Sequence, residues 1–202
     1  YSEKMNAAYE DYYASMKKEF KNNSDEPIRD QSWSNMCGAF AGTAYRYSQE
    51  WYQSNNTKLY SPLMVYGADT YNGEGMYSRD LAKILVKTGV CHMHNWEKIG
   101  YKSDCQKLYE EYKNEVKDDF KVYKTSSYYF CNSWSEIIAA IYSTKGCIIM
   151  VPIYDNWYDC KSDGIIGKNK GKFYGYHFIL AKSYKKEKNG SYTITIKNSW
   201  GE

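Results

Sequence analysis

The chain has 202 residues, with 27 Lys and Arg against 24 Asp and Glu and a formal net charge of +3 at pH 7. Both signs are interspersed and no arginine-rich face is evident, so electrostatics call for neither nucleic acid nor a membrane surface as partner. No stretch approaches the roughly 18 apolar residues of a membrane span, no charged-then-apolar signal segment opens the chain, and a 43% hydrophobic share with 24 Tyr and 6 Trp suits one domain or two lobes around one cleft.

In chain order, Ser2 to Phe20 has helical spacing through Met5, Ala8, Tyr9, Tyr12, Tyr13, Met16 and Phe20, followed by a polar break from Lys21 to Pro27. Residues 1–27 therefore read as an N-terminal helical extension; the sharper reading is a remnant of an inhibitory pro-segment or a connection to another domain. A start at Tyr1 rather than methionine favours a longer polypeptide or proteolytic processing. A second helix begins at Cys37, because Cys37, Phe40, Ala41, Ala44, Ser48, Trp51 and Tyr52 recur at three- and four-residue steps. Further helices are expected from Ser78 to Thr88, from Asp104 to Asp118 and from Ser133 to Thr144. The last carries a capping box, Ser133 with Glu136 three places on. Strands follow at Cys147 to Ile153, Tyr174 to Tyr184 and Tyr192 to Lys197. A helical half (28–122) followed by a β-rich half (123–202) is an α+β arrangement of two lobes.

Three side chains stand out chemically. A thiol is a good nucleophile only as thiolate, and Cys37 at a helix N-terminus meets unpaired amides and the positive dipole end, which should depress its pKa. His177, in the apolar strand Tyr176-His177-Phe178-Ile179-Leu180, can complete an ion pair with it. Asn198, in Lys197-Asn198-Ser199-Trp200-Gly201, can fix an imidazole plane. Taken singly each has a plain alternative: a buried cysteine, a satisfied core histidine, a turn after a strand.

Taken together, Gln31 six places before Cys37, then His177, then Asn198-Ser199-Trp200-Gly201, resemble a papain-type cysteine peptidase. Such enzymes place histidine and asparagine about 130 to 150 residues after the cysteine. Here the separations are 140 (177 − 37) and 161 (198 − 37), the second lengthened as a surface insertion would do. The resemblance spans roughly residues 28 to 201 and is closer to the family's bacterial and phage-type branch, in keeping with a Lys- and Tyr-rich, proline-poor composition typical of low-GC coding. It implies a papain-like two-lobe fold with the cleft between the lobes, no cofactor, a polypeptide substrate, and the chain's own precursor or a larger assembly as further candidate partners.

It also implies roles. Cys37 attacks the carbonyl carbon, and His177 stabilises the thiolate, protonates the leaving amine and later activates water. Asn198 orients His177. Gln31 binds the developing oxyanion with the Cys37 amide. Trp200 covers the His177 and Asn198 pair; Gly75, in Gly73-Glu74-Gly75-Met76, lets substrate backbone approach one wall. Val151 to Tyr158 resembles the strand and loop leading to the far wall.

Several positions depart from the family pattern. Ser32 replaces glycine, Met36 replaces serine, and Gly38 replaces a tryptophan or small apolar residue. Ser34 stands where secreted relatives have a disulfide cysteine, so that bridge cannot form. Phe178 follows the histidine in place of a small residue and should narrow or reshape the neighbouring substrate pocket. With Cys37 reserved as nucleophile, five cysteines remain, an odd number that argues against a full disulfide framework and toward a reducing compartment, with secretion still open; a bridge between Cys91 and Cys105 also stays open. Cys147, in an apolar run, reads as a buried thiol. Two rival functions stay in view: a papain fold that binds or scaffolds without turnover, and a cysteine-dependent amidase or acyl transferase acting on peptidoglycan. Cys91-His92-Met93-His94 offers three possible metal ligands without a fourth at recognisable spacing, so no metal site is assigned.

Overall fold

The computed structural model describes residues 16–55, 57–160 and 164–201. Helices α1 (Cys37–Ser54), α2 (Pro62–Gly67), α3 (Ser78–Lys87), α4 (Lys102–Tyr112) and α5 (Lys117–Val122) lead to α6 (Trp134–Thr144). Strands β1 (Glu19–Phe20), β2 (Cys147–Tyr154), β3 (Phe173–Lys186) and β4 (Tyr192–Lys197) form one antiparallel sheet in which β3 pairs with all three others. The architecture is the expected α+β arrangement.

Two apolar clusters underlie it. The larger joins Met36, Phe40, Tyr60, Leu63, Tyr66, Leu81, Leu85 and Phe120 from the helical half; the smaller joins Ile138 and Ile141 of α6 to Ala181 and Tyr184 of β3. Strand β3 is buried on both faces between His177 and Ala181, because α1 and α6 pack against it while β2 and β4 flank it. A continuous apolar run of that kind is what a doubly covered strand requires.

Helix α6 is capped as its sequence dictates: the Ser133 hydroxyl accepts the Glu136 amide at 3.2 Å. The Glu136 carboxylate reaches back one residue further than the usual box, to the Asn132 amide. Three expectations are corrected and one open alternative is resolved. The expected N-terminal helix through Phe20 lies largely outside the described residues, and its last part is strand, with Glu19 opposite Lys185 and Phe20 opposite Tyr184; Phe20 joins the smaller cluster instead of a helix face. The expected Asp104–Asp118 helix breaks after Tyr112, and α5 restarts at Lys117, which lets the Asp119 carboxylate accept the His92 amide at 3.0 Å. Cys91 and Cys105 are both buried and both free, so the bridge left open between them is not formed. Cys147 is half-buried and hydrogen-bonded to the Cys131 thiol, where a fully buried thiol was expected.

Residues 22–34 run across both halves and set the approach to α1. The Asn22 amide nitrogen donates to Ser48 Oγ at 2.6 Å and to the Lys145 carbonyl at 2.5 Å, while its backbone N–H donates to Ser183 Oγ at 2.9 Å. Arg29 donates to the Tyr60 carbonyl at 3.0 Å and to Thr43 Oγ1 at 2.8 Å, and pairs with Glu26 at 2.6 Å. Just before α1 the chain turns at Ser32, whose φ of 51° is left-handed; its N–H donates to Asp30 Oδ1 at 2.6 Å. A Cβ in that conformation costs about 1 kcal/mol, which is the physical reason a glycine is the ordinary occupant. Ser32→Gly is expected to raise unfolding free energy by about 1 kcal/mol and Ser32→Val to lower it; chemical denaturation of the purified variants measures both.

Candidate active site

Cys37 is the first residue of α1, and Met36 before it offers no side-chain cap. The first-turn amides are thereby left for other partners. The backbone amides of Phe178, Gly38 and Cys37 itself face the Cys37 sulfur. Sequence reasoning expected the helix end to depress the thiol pKa, but burial is the larger influence and pushes the thiol up, with those three amides opposing it. Burial likewise pushes the His177 imidazole down, opposed by its bond to Asn198. Each group alone is held toward its neutral form.

The His177–Asn198 geometry fixes the tautomer. His177, only 5% exposed on β3, has Nε2 at 2.6 Å from Asn198 Oδ1. That same Oδ1 accepts the Ser199 amide at 2.8 Å, which assigns oxygen to the histidine-facing position. Nε2 therefore carries the hydrogen, and Nδ1 is left as the free base. Trp200 covers the pair, its ring 4.7 Å from the imidazole. Tyr158 stacks on Trp200 at 5.5 Å and 4°, and Trp157 meets it edge-on at 6.4 Å. Sequence reasoning had the 151–158 segment at the far wall without singling out these two rings; the adjacent Trp157-Tyr158 after a strand end was the available signal.

Gln31 is locked from both ends. Its N–H donates to the Ser199 carbonyl at 2.8 Å, its Nε2 to the Ser34 carbonyl at 2.7 Å, and its Oε1 accepts the Ser199 hydroxyl at 2.7 Å. Nε2 keeps a second hydrogen that an incoming oxyanion can use.

Two departures from the family pattern explain each other. A Cβ at Gly38 would lie 3.3 Å from Met76 and 3.4 Å from the Phe178 ring. The large Phe178, 5% exposed, therefore packs where position 38 has no side chain. Phe178 also lines a groove of about 710 Å³ together with Tyr45, Leu81, Met150, Tyr128 and Phe130.

The expectation for Gly75 changes. It has φ of 85° and open space where a Cβ would stand, as a close-approach glycine should. Its N–H, however, donates to the Tyr66 hydroxyl at 2.9 Å and its carbonyl accepts Lys102 Nζ at 2.8 Å. Both backbone groups are turned inward. The next residue, Met76, lies against Gly38, and among the described residues its backbone groups have no hydrogen-bond partner. The unbonded backbone groups of this segment are thus at Met76, one place beyond the glycine.

The Cys91-His92-Met93-His94 run is taken up by packing: His92 pairs with Asp119 at 3.0 Å and stacks on Tyr60, and His94 stacks on Trp96.

No family model matches the chain, and no curated protein is similar to it in sequence. Solved structures are similar in fold. Xylellain, a cysteine protease from Xylella fastidiosa, superposes with a TM-score of 0.75 at 19% identity, covering 95% of this chain and 77% of that one. ProCathepsin B S9 from Trypanosoma congolense gives 0.67 at 13% identity over 99% and 70% of the two chains. Recombinant stem bromelain precursor gives 0.70 at 17% over 94% and 61%. With neighbours of this kind and its helices set against an antiparallel sheet, the chain has the papain-like α+β fold.

Proposed function

We propose that the protein is a papain-like cysteine peptidase in which Cys37 and His177 act as a thiolate–imidazolium pair on a peptide bond. The observation that carries this reading is the His177–Asn198–Ser199 arrangement, which protonates Nε2 and leaves Nδ1 free, on the strand whose next amide faces the Cys37 sulfur. The thiolate adds to the carbonyl carbon, and the oxyanion is held by the Cys37 amide and the spare hydrogen of Gln31 Nε2. Imidazolium Nδ1–H then passes its proton to the departing amine, leaving an acyl-thioester and neutral His177. Water, deprotonated by Nδ1, adds to the thioester, and the thiolate departs to restore the pair.

Trp200, Tyr158 and Trp157 shield the imidazole edge. Met76 supplies backbone groups to an extended substrate and Phe178 sets the adjoining pocket. The substrate is a polypeptide; its own precursor is a natural candidate, and three of the similar structures, proCathepsin B S9, the stem bromelain precursor and the ragweed Amb a 11 protease in its proform, are precursors. The affinity to the bacterial and phage-type branch rests on the resemblance between the motifs and on the Lys- and Tyr-rich, proline-poor composition. The same chemistry serves an amidase or acyl transferase, and only substrate trials separate these.

Thiol labelling across pH tests the pair. Because burial raises the Cys37 thiol, a lone thiol here labels only at alkaline pH. The ion pair predicts fast iodoacetamide or epoxide labelling confined to Cys37 at mildly acidic pH, lost in His177→Ala. Slow labelling spread over all six cysteines would point to a scaffold.

Asn198→Ala removes the bond that raises His177. The imidazolium then gives up its proton at lower pH, so the alkaline limb of the rate profile is expected to move to lower pH while the acid limb changes less. Gln31→Ala should lower kcat by about 100-fold, with single-turnover acylation affected and Cys37 alkylation retained.

A further inference from the structure

Lys102 is a charged side chain that the chemistry above does not use, and it is 2% exposed in the middle of the helical half. A buried ammonium has three protons to satisfy, and each has a partner here. Nζ donates to Asp69 Oδ2 at 2.7 Å and to the Gly75 carbonyl at 2.8 Å, and it sits 3.9 Å over the centre of the Tyr66 ring. The network then closes on itself. The Tyr66 hydroxyl donates to Glu74 Oε2 at 2.9 Å and accepts the Gly75 N–H at 2.9 Å. Glu74 Oε1 accepts the Lys102 backbone N–H at 3.2 Å, and Asp69 Oδ1 accepts the Tyr71 N–H at 3.2 Å. Burial pushes the Tyr66 hydroxyl up, keeping it a donor to Glu74.

Every one of these bonds ends on residues 69–75. Their common effect is to hold Gly75 by both its N–H and its carbonyl, which fixes the direction in which the chain leaves toward Met76. From these contacts we infer that Lys102 is a positioning residue for substrate: it holds the 73–76 turn so that the free backbone groups of Met76 face an extended peptide lying beside Cys37. The inference rests on the peptidase reading above. Lys102 itself touches neither substrate nor sulfur; it acts through Gly75, and Asp69 and Tyr66 act with it.

A neutral residue of similar length removes the charge and the Gly75 bond while filling the space, so Lys102→Met is the direct variant. It also leaves Asp69 buried without its partner, which can unfold the helical half. Tyr66→Phe is the milder second variant: it keeps the ring under Nζ and deletes only the hydroxyl that holds Glu74 and the Gly75 N–H.

Two reagents that react with the same sulfur separate positioning from folding and from basic reactivity. Iodoacetamide needs only Cys37 and His177. A peptidyl epoxide or peptidyl vinyl sulfone with at least two residues also needs the wall. In both variants the iodoacetamide rate at Cys37 is expected to stay within about twofold of wild type, whereas the peptidyl reagent should lose about tenfold or more, the scale on which a small misplacement acts. Where a peptide substrate is in hand, the same variants should show a raised KM with kcat less affected. A folded Lys102→Met or Tyr66→Phe protein that keeps the full wild-type ratio of peptidyl to iodoacetamide rates overturns the role of the network while leaving the peptidase reading intact. Equal loss with both reagents assigns the network to folding alone and likewise overturns it. A wild-type protein whose Cys37 shows no advantage for the peptidyl reagent overturns the peptidase reading, and the positioning role with it.

Discussion

The close approach of the first turn of α1 to β3 is the contact on which the rest of the molecule depends. A helix N-terminus and a strand can bring a sulfur beside a histidine only if nothing bulky stands between them, and position 38 is where that space is decided. Glycine there lets Met76 and the Phe178 ring come within 3.3 and 3.4 Å of where a Cβ would be. Any side chain at 38 has to displace one of them. The Phe178 ring stands next to His177 on β3, and the Met76 side chain stands at the opposite wall. In the reading proposed above, this apolar contact bears on how Cys37 at the helix start and His177 on the strand are placed relative to each other.

The segment 22–34 holds that approach in place without a covalent link. It touches β3 through Asn22 and Ser183, α1 through Arg29 and Thr43, and the end of β4 through Gln31 and Ser199. Lys197 adds bonds to the Glu26 and Pro27 carbonyls at 2.7 and 2.8 Å. Burial pushes the Glu26 carboxyl up and the Lys197 amine down; Arg29 and Lys197 oppose the first shift and Glu26 the second, so the cluster keeps its charges only while all of its members are assembled. Gln31 and Asn198 are consequently parts of one piece: Gln31 bonds Ser199, and Ser199 follows Asn198.

The local chemistry of the site was legible in the sequence because it is written in side-chain types at fixed spacing. Cys37 at a helix start, His177 in a buried strand and Asn198 after the last strand all follow from periodicity and motif order, and the Ser133 cap follows from four residues. What was not legible has a common cause, which is partners far apart in the chain. Helix α2 is buried on every side, so it shows no apolar stripe; its Ser61 cap and Pro62 were the signals that could have found it. Strand β1 exists only because β3 pairs with it 164 positions on (184 − 20). The sign of the Cys37 shift was misread because a helix end is a local feature, whereas burial is a property of the whole fold. The inward bonding of Gly75 was hidden for the same reason, since Lys102 and Tyr66 lie 27 and 9 positions from it.

The substitution of Ser34 for a cysteine gains its meaning from these same contacts. A disulfide holds a loop by shortening the accessible ensemble of the unfolded chain, and it works whatever the local polarity. Here the Ser34 hydroxyl donates to the Gln31 carbonyl at 2.6 Å, while the Ser34 carbonyl takes the Gln31 side chain. On the opposite wall the Lys102–Asp69 pair holds residues 69–75. Losing one partner of such a buried pair costs about 3 to 5 kcal/mol, comparable with a disulfide. The two devices differ in what they respond to. A disulfide fails on reduction; the polar fastening is indifferent to thiol chemistry. All six cysteines are free, so if Cys37 is the nucleophile proposed above, no structural disulfide stands by to exchange with its thiolate.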